Sequence, residues 1–194
     1  NFDQIVNDVI QVLDFNKIKK SHFVGISLGS ILIQYMLFNH QKRVEKIGLG
    51  GAILNLNLQS RLLMFMGNLT QSILPFIWIY TFFAYVIMPY KNHRKSRAFF
   101  INEAKKLSQK GFKRWYKLTD SILPLLKKIR VFEVKTPILY LMGEQDYMFL
   151  PFVKKMVSNH KSSSLTTIID SGHVVNIDQS EQFNTSLLSH LLMD

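Results

Sequence analysis

A five-residue turn, Gly25–Ile26–Ser27–Leu28–Gly29, limits the folds open to this sequence more than any other segment does. The apolar run before it, 22–24, has the length of a β-strand core, and the residues after it keep helical spacing as far as His40. In a G-x-S-x-G turn between a strand and a helix, the serine occupies a strained position that lifts its hydroxyl above the sheet. We expect glycine on both sides because such a turn leaves little room for side chains. The open alternative is an ordinary turn whose serine caps the helix.

Strand and helix patterns alternate in the two outer parts of the chain. A second strand pattern lies within 44–54, and two more lie at 138–142 and 164–169. Helical patterns cover 2–15, 149–159 and 179–193. Alternation of this kind is typical of a parallel sheet with crossover helices. We therefore predict an α/β fold with a mostly parallel sheet and flanking helices.

Two polar residues follow the later strands at positions equivalent to that of Ser27. Asp146 comes just after the third strand, and His173 comes just after the fourth. Because the carboxyl ends of parallel strands share one edge of a sheet, these three side chains can converge there. A histidine can take the proton of a serine hydroxyl, and a carboxylate can fix the tautomer of that histidine. Glu144 is the alternative carboxylate, one turn nearer the strand.

The other histidines lack this placement at a strand end, and we assign them no role in the site: His22, His40, His93, His160 and His190. Asp170 and Asp178, which flank His173, are interpreted as capping or surface residues. No spacing of histidine and carboxylate residues suggests a metal site, and the chain has no cysteine. We therefore predict neither a metal nor a cofactor.

Three segments resemble motifs of the α/β-hydrolase superfamily, in the order in which that superfamily has them: VGISLGS at 24–30, TPILYLMGEQD at 136–146 and DSGHVVNIDQSEQFN at 170–184. Within the superfamily the sequence is most similar to small bacterial esterase- and lactonase-like members. The resemblance implies a hydrolase core at 1–57 and 131–194, with a helical cap at 58–130. It also implies that Ser27, Asp146 and His173 form a catalytic triad, with the Leu28 N–H as an oxyanion donor.

The resemblance further implies strands before that of Ser27, which this sequence does not contain. A loop after one of those strands supplies the second oxyanion donor in the superfamily, so that donor is absent from this chain. We therefore expect the 194 residues to be part of a longer protein. Without those strands, residues 23–26 have an open edge, and such an edge invites self-association.

The middle of the chain, from Leu58 to Arg130, differs from the rest. No charged residue occurs between Arg61 and Lys91, and residues 73–88 are apolar enough to be a candidate for a membrane span. Pro75 and Pro89 instead favour separate shorter helices, and two further helices are predicted at 98–110 and 112–130, separated by Gly111. As a cap, these helices would cover an apolar acyl pocket, for which we predict Trp78 and Phe82 as substrate contacts.

All of the excess positive charge lies in one segment. Residues 91–135 contain 14 basic and three acidic residues, so this segment accounts for the whole formal net charge of +11. Such a patch attracts anionic lipid or an acidic substrate, and the alternative is the solvated face of surface helices. We predict no nucleic-acid partner, possible peripheral contact with a membrane through the cap, and a cytoplasmic location.

The leading functional prediction is a serine hydrolase, which uses no cofactor. Its small-molecule substrate would be a carboxylic ester, lactone or thioester with an apolar acyl part. Two alternatives remain open at this point: a ligand receptor that keeps the triad without efficient turnover, and a peripheral membrane protein anchored through its basic, aromatic cap.

Overall fold

The computed structural model describes residues 1–130 and 135–192, whose centre is a parallel four-stranded sheet. The strands are β1 (Ser21–Ile26), β2 (Val44–Gly50), β3 (Ile138–Gly143) and β4 (Ser163–Ile168). They lie in the order β1-β2-β3-β4, and every neighbouring pair is parallel. The predicted α/β class with a mostly parallel sheet is therefore confirmed. Among the described residues β1 is an edge strand, as predicted, while self-association through it remains a prediction.

Helices cover both faces of the sheet. They are α1 (Phe2–Phe15), α2 (Leu28–His40), α8 (Leu150–Val157), the short α9 (Val175–Asp178) and α10 (Ser180–Leu192). Alternation along β3 divides the core between the two faces. Ile138, Tyr140 and Met142 pack with residues of α1, α2 and α8, whereas Leu139 and Leu141 pack with residues of α9 and α10. Since β3 is buried on both faces, its sequence is an uninterrupted apolar run.

Between β2 and β3 the described residues form five α-helices, and we call them the inserted helices. They are α3 (Leu58–Thr70), α4 (Phe76–Ile87), α5 (Arg94–Ala104), α6 (Gln109–Tyr116) and α7 (Thr119–Arg130). Buried residues of α4 and α6 form a small core of their own around Ile79, Phe112 and Tyr116. In the described part of the chain, no helix has both the length and the apolar character that crossing a membrane requires. The predicted boundaries of the cap, 58 and 130, remain predictions.

The prediction that Gly111 separates two helices is wrong. Gly111 lies in the first turn of α6, where its N–H donates to the Ser108 side chain at 3.0 Å. A glycine is tolerated in that turn because the serine cap satisfies its amide. The helix breaks fall instead at 105–108 and 117–118.

Candidate active site

Ser27 occupies a strained turn between β1 and α2. Its φ of 51° and ψ of −114° lie outside the regions that residues with a side chain normally adopt. The backbone is held in this geometry from both sides. The Ser27 N–H donates to the Gly50 carbonyl at 3.0 Å, and the Ser27 carbonyl accepts from the Ser30 N–H at 2.9 Å. Strain of this kind persists only where surrounding contacts fix it, and it is concentrated at functional sites.

Only one of the two glycines in the turn is required by steric contact. A Cβ atom on Gly25 would lie 2.6 Å from the Gly29 carbonyl oxygen and 2.6 Å from Cδ1 of Ile33. A Cβ atom on Gly29 would have no neighbour within 4 Å. The expectation that both glycines are needed is therefore wrong for Gly29, because that residue has turned into the first turn of α2 and faces open space.

His173 links Ser27 to Asp146 through hydrogen bonds at both of its ring nitrogens. The Ser27 Oγ lies 2.8 Å from Nε2 of His173, and Nδ1 of His173 lies 2.9 Å from Oδ2 of Asp146. Asp146 and His173 are buried, and the ring of Phe149 packs against the imidazole at a centroid distance of 4.9 Å. The structure thus brings together the three residues predicted from the strand ends, with the histidine between the serine and the carboxylate.

Asp146, and not the alternative Glu144, faces the histidine. The Oδ1 atom of Asp146 also accepts from the Phe149 N–H at 3.2 Å, so both carboxylate oxygens are hydrogen-bonded. Glu144 is exposed, and its N–H donates to the Ile168 carbonyl at 2.9 Å. Across residues 1–130 and 135–192, no three histidine or acidic side chains are grouped in a way that could hold a metal ion.

The loops that carry Asp146 and His173 are fixed to each other through backbone contacts. The Gln145 N–H donates to the Ser171 carbonyl at 2.9 Å, and the Gly172 N–H donates to Oδ2 of Asp178 at 2.9 Å. Asp178 therefore holds the histidine loop, and in the described part of the chain it caps no helix end, although the sequence analysis interpreted it as a capping or surface residue. A Cβ atom on Gly143 would lie only 2.2 Å from the Gly172 carbonyl oxygen, so the two loops have no room to separate around a side chain.

Leu28, the predicted oxyanion donor, is the first residue of α2 and directly follows Ser27. The first amides of a helix have no acceptor within the helix. The positive end of the α2 dipole also lies here, so negative charge that develops beside Ser27 is favoured.

A cavity of about 490 Å³ opens between Ser27 and the inserted helices. Ser27 and Leu28 form its floor, and its remaining lining is almost entirely aromatic and aliphatic: Tyr80, Phe83, Ile87, Phe100, Leu107, Phe112, Trp115, Tyr116 and Thr119. Among the side chains that the structure describes, no charged one belongs to this lining. Burial raises the pKa of the Tyr80 phenol, which therefore stays neutral at physiological pH.

The predicted substrate contacts Trp78 and Phe82 do not line this cavity. Trp78 is 65% exposed and Phe82 is 48% exposed. In α4 the cavity residues Tyr80, Phe83 and Ile87 follow at helical spacing, which places Trp78 and Phe82 on the opposite side of the helix. Because almost every residue of α4 is apolar, the sequence alone did not show which side faces inward.

His93, to which the sequence analysis gave no role, is fully buried beside the loops of the site. Its Nε2 lies 2.8 Å from Oε1 of Gln145, which also accepts from the Asn92 side chain at 2.8 Å. The His93 ring lies 2.5 Å from the position a Cβ atom would take on Gly172. The short 3-10 turn Lys91–His93, which follows α4, is therefore hydrogen-bonded to the loop of Asp146 and packed against the loop of His173. No local pattern around His93 signals this contact.

No protein-family model and no curated protein matches the sequence significantly. Solved structures do match it over nearly its whole length. An esterase from Exiguobacterium antarcticum has a TM-score of 0.76 at 17% identity, over 99% of this chain and 74% of its own. An enol-lactonase from Burkholderia xenovorans has a TM-score of 0.77 at 16% identity, over 99% and 73%.

A bromoperoxidase from Bacillus anthracis has a TM-score of 0.79 at 18% identity, and the match covers 100% of this chain and 75% of that one. These similarities agree with the parallel sheet and its flanking helices. The chain therefore has the α/β-hydrolase fold.

Proposed function

We propose that this protein is a serine hydrolase that cleaves a carboxylic ester, lactone or thioester with an apolar acyl part. The observation that carries the proposal is the chain of hydrogen bonds from Ser27 through His173 to Asp146, at the carboxyl ends of three parallel strands. An esterase and an enol-lactonase among the solved structures with this fold are consistent with such chemistry.

In the proposed mechanism the Ser27 Oγ attacks the substrate carbonyl while Nε2 of His173 takes the hydroxyl proton. Asp146 accepts the hydrogen bond from Nδ1–H, which fixes the tautomer and stabilises the imidazolium. The Leu28 N–H donates to the oxyanion of the tetrahedral intermediate. His173 then gives the proton to the departing alcohol or thiol, and an acyl group remains on Ser27.

Water completes the cycle on the same residues. His173 takes a proton from the water as it attacks the acyl-enzyme, and it returns that proton to Oγ of Ser27 when the acid leaves. The acyl part would occupy the cavity under α4 and α6, because burying apolar surface there is favourable and the lining residues that the structure describes carry no charge.

Turnover of p-nitrophenyl esters of increasing acyl length tests this function. We expect hydrolysis that depends on Ser27 and improves with acyl length until the cavity is filled. Ser158→Ala is a matched control, since Ser158 is exposed at the end of α8, where its hydroxyl donates to the Lys155 carbonyl. Binding of acyl ligands without turnover would support the ligand-receptor alternative and contradict the proposal.

A further inference from the structure

Helix α3 presents large apolar side chains on the side that faces away from the protein. Its buried residues Ser60, Leu63 and Gly67 lie on one side at helical spacing. Five large apolar residues of α3 are between 41% and 84% exposed, and they share this exposed side with Arg61 and Asn68: Leu58, Leu62, Phe65, Met66 and Leu69. A surface helix normally turns polar residues toward water. Packing within the described chain therefore does not account for this side of α3.

The exposed apolar surface continues on α4, which packs against α3. Trp78, Phe82 and Tyr85 are between 48% and 65% exposed, on the side of α4 that faces away from the cavity. Ile73, in the turn between the two helices, is 80% exposed. We call these residues together the outward apolar face: Leu58, Leu62, Phe65, Met66, Leu69, Ile73, Trp78, Phe82 and Tyr85. A face of this kind on a surface marks a protein-protein or membrane contact.

One basic side chain, that of Arg97, adjoins one end of the outward apolar face, and two more lie near it in sequence. The Arg97 guanidinium lies 4.8 Å from the centre of the Tyr85 ring, and it also donates to the Tyr90 carbonyl at 2.7 Å. Arg94 lies one turn earlier on α5 and is exposed, as is Lys95 beside it. These residues begin the segment 91–135, which carries the whole net charge of +11.

We propose that the outward apolar face docks the protein on an anionic lipid bilayer. The aliphatic side chains and the aromatic rings would enter the boundary between headgroups and acyl chains, where tryptophan and tyrosine are favoured. The basic side chains would remain at the level of the anionic headgroups. The inserted helices thus combine the two contributions that hold a peripheral protein on a membrane, which are apolar burial and charge attraction.

Charge favours a bilayer over a second copy of the chain. Two molecules that paired through this face would each carry a formal net charge of +11, and like charges oppose their approach. An anionic bilayer supplies the complementary charge. The proposal therefore commits to lipid, and pairing of two copies becomes an outcome of the test.

Co-sedimentation with vesicles of phosphatidylcholine, alone or mixed with phosphatidylglycerol, tests the apolar part of the proposal. The variant Phe65→Ser with Leu69→Ser should lose most of its binding, because both side chains are more than 60% exposed on the face. Phe15→Ser is the matched control, since Phe15 is 88% exposed at the end of α1. Circular dichroism of each variant verifies that the fold is retained.

Charge reversal in the same assay tests the electrostatic part. Arg94→Glu with Lys95→Glu should weaken binding to the mixed vesicles by about fivefold or more for each residue changed. Lys154→Glu with Lys161→Glu, at exposed positions outside the basic segment, should bind nearly as the unmodified protein does. Added salt should weaken binding to the mixed vesicles. The difference in binding between the unmodified protein and the control Lys154→Glu with Lys161→Glu should remain small.

Several outcomes would overturn the proposal. One is equal vesicle binding of the double variant Phe65→Ser with Leu69→Ser and of the Phe15→Ser control; another is binding that does not depend on anionic lipid. A third outcome is a protein that does not bind vesicles but forms a dimer in light scattering. If Phe65→Ser with Leu69→Ser dissociated that dimer, the face would be assigned to self-association instead. Ser27→Ala should bind vesicles like the unmodified protein. A failure of the docking proposal can therefore be distinguished from a failure of the proposed hydrolase function.

Discussion

Replacing each glycine of the serine turn by alanine tests which of the two the packing of the turn requires. In Gly25→Ala the new Cβ atom would lie 2.6 Å from the Gly29 carbonyl oxygen, whereas ordinary contacts begin at 3.4 Å. The end of β1 and the start of α2 would have to separate by about 0.8 Å. Gly29→Ala has open space around it and places a better helix former in α2.

The expected effects have opposite signs. Gly25→Ala should lower the free energy of unfolding by about 1–3 kcal/mol, which is the usual cost of forcing extra volume into a packed site. Gly29→Ala should leave it unchanged or raise it by up to about 1 kcal/mol. In urea denaturation a loss of about 2 kcal/mol corresponds to a midpoint lower by about 1 M.

Ester turnover should also fall in Gly25→Ala and be retained in Gly29→Ala. A shift of the turn by nearly an ångström would stretch the 2.8 Å contact between Ser27 and His173, and misplacement on this scale costs about 10²-fold in rate. Gly29→Ala should retain most of the activity. If Gly25→Ala were as stable and as active as the unmodified protein, the packing described for β1 and α2 would be wrong.

Three further substitutions test the parts of the site separately. Asp146→Asn should lower ester turnover by about 10⁴-fold with little change in stability, because the histidine would then hold the wrong tautomer. Phe83→Trp should shift acyl preference toward shorter esters by filling the cavity, while Phe82→Trp, on the outer side of α4, should leave the preference unchanged; identical profiles would contradict the assigned lining. His93→Ala should lower the free energy of unfolding by about 2–4 kcal/mol, as measured in urea, because it empties a buried position and removes the bond to Gln145; an unchanged midpoint would contradict this.

The sequence located the three residues of the candidate site because a parallel sheet gathers the ends of its strands at one edge. Ser27, Asp146 and His173 each follow a predicted strand, and the β1–β2, β2–β3 and β3–β4 pairings then fix their relative positions. Local pattern and topology lead to the same result here, and this is the condition under which prediction from sequence succeeds.

Prediction failed where an element lacks a polar side. In α4 an apolar residue occupies nearly every position, so periodicity could not tell the cavity side with Phe83 from the outer side with Phe82. His93 was missed because its contact with Gln145 joins residues that are 52 positions apart. At Gly111 the sequence predicts a helix break, but α6 includes this residue. The Ser108 side chain accepts from the Gly111 N–H and so compensates for a glycine in the first turn.

Mass spectrometry of the protein after reaction with a fluorophosphonate tests the proposed chemistry most directly. The account predicts one adduct, located on Ser27, since the Ser27 hydroxyl is hydrogen-bonded to Nε2 of His173 and opens into the cavity. Labelling should disappear in Ser27→Ala and persist in the Ser158→Ala control. An adduct on another residue, or undiminished labelling of Ser27→Ala, would contradict the assignment of Ser27 as the nucleophile.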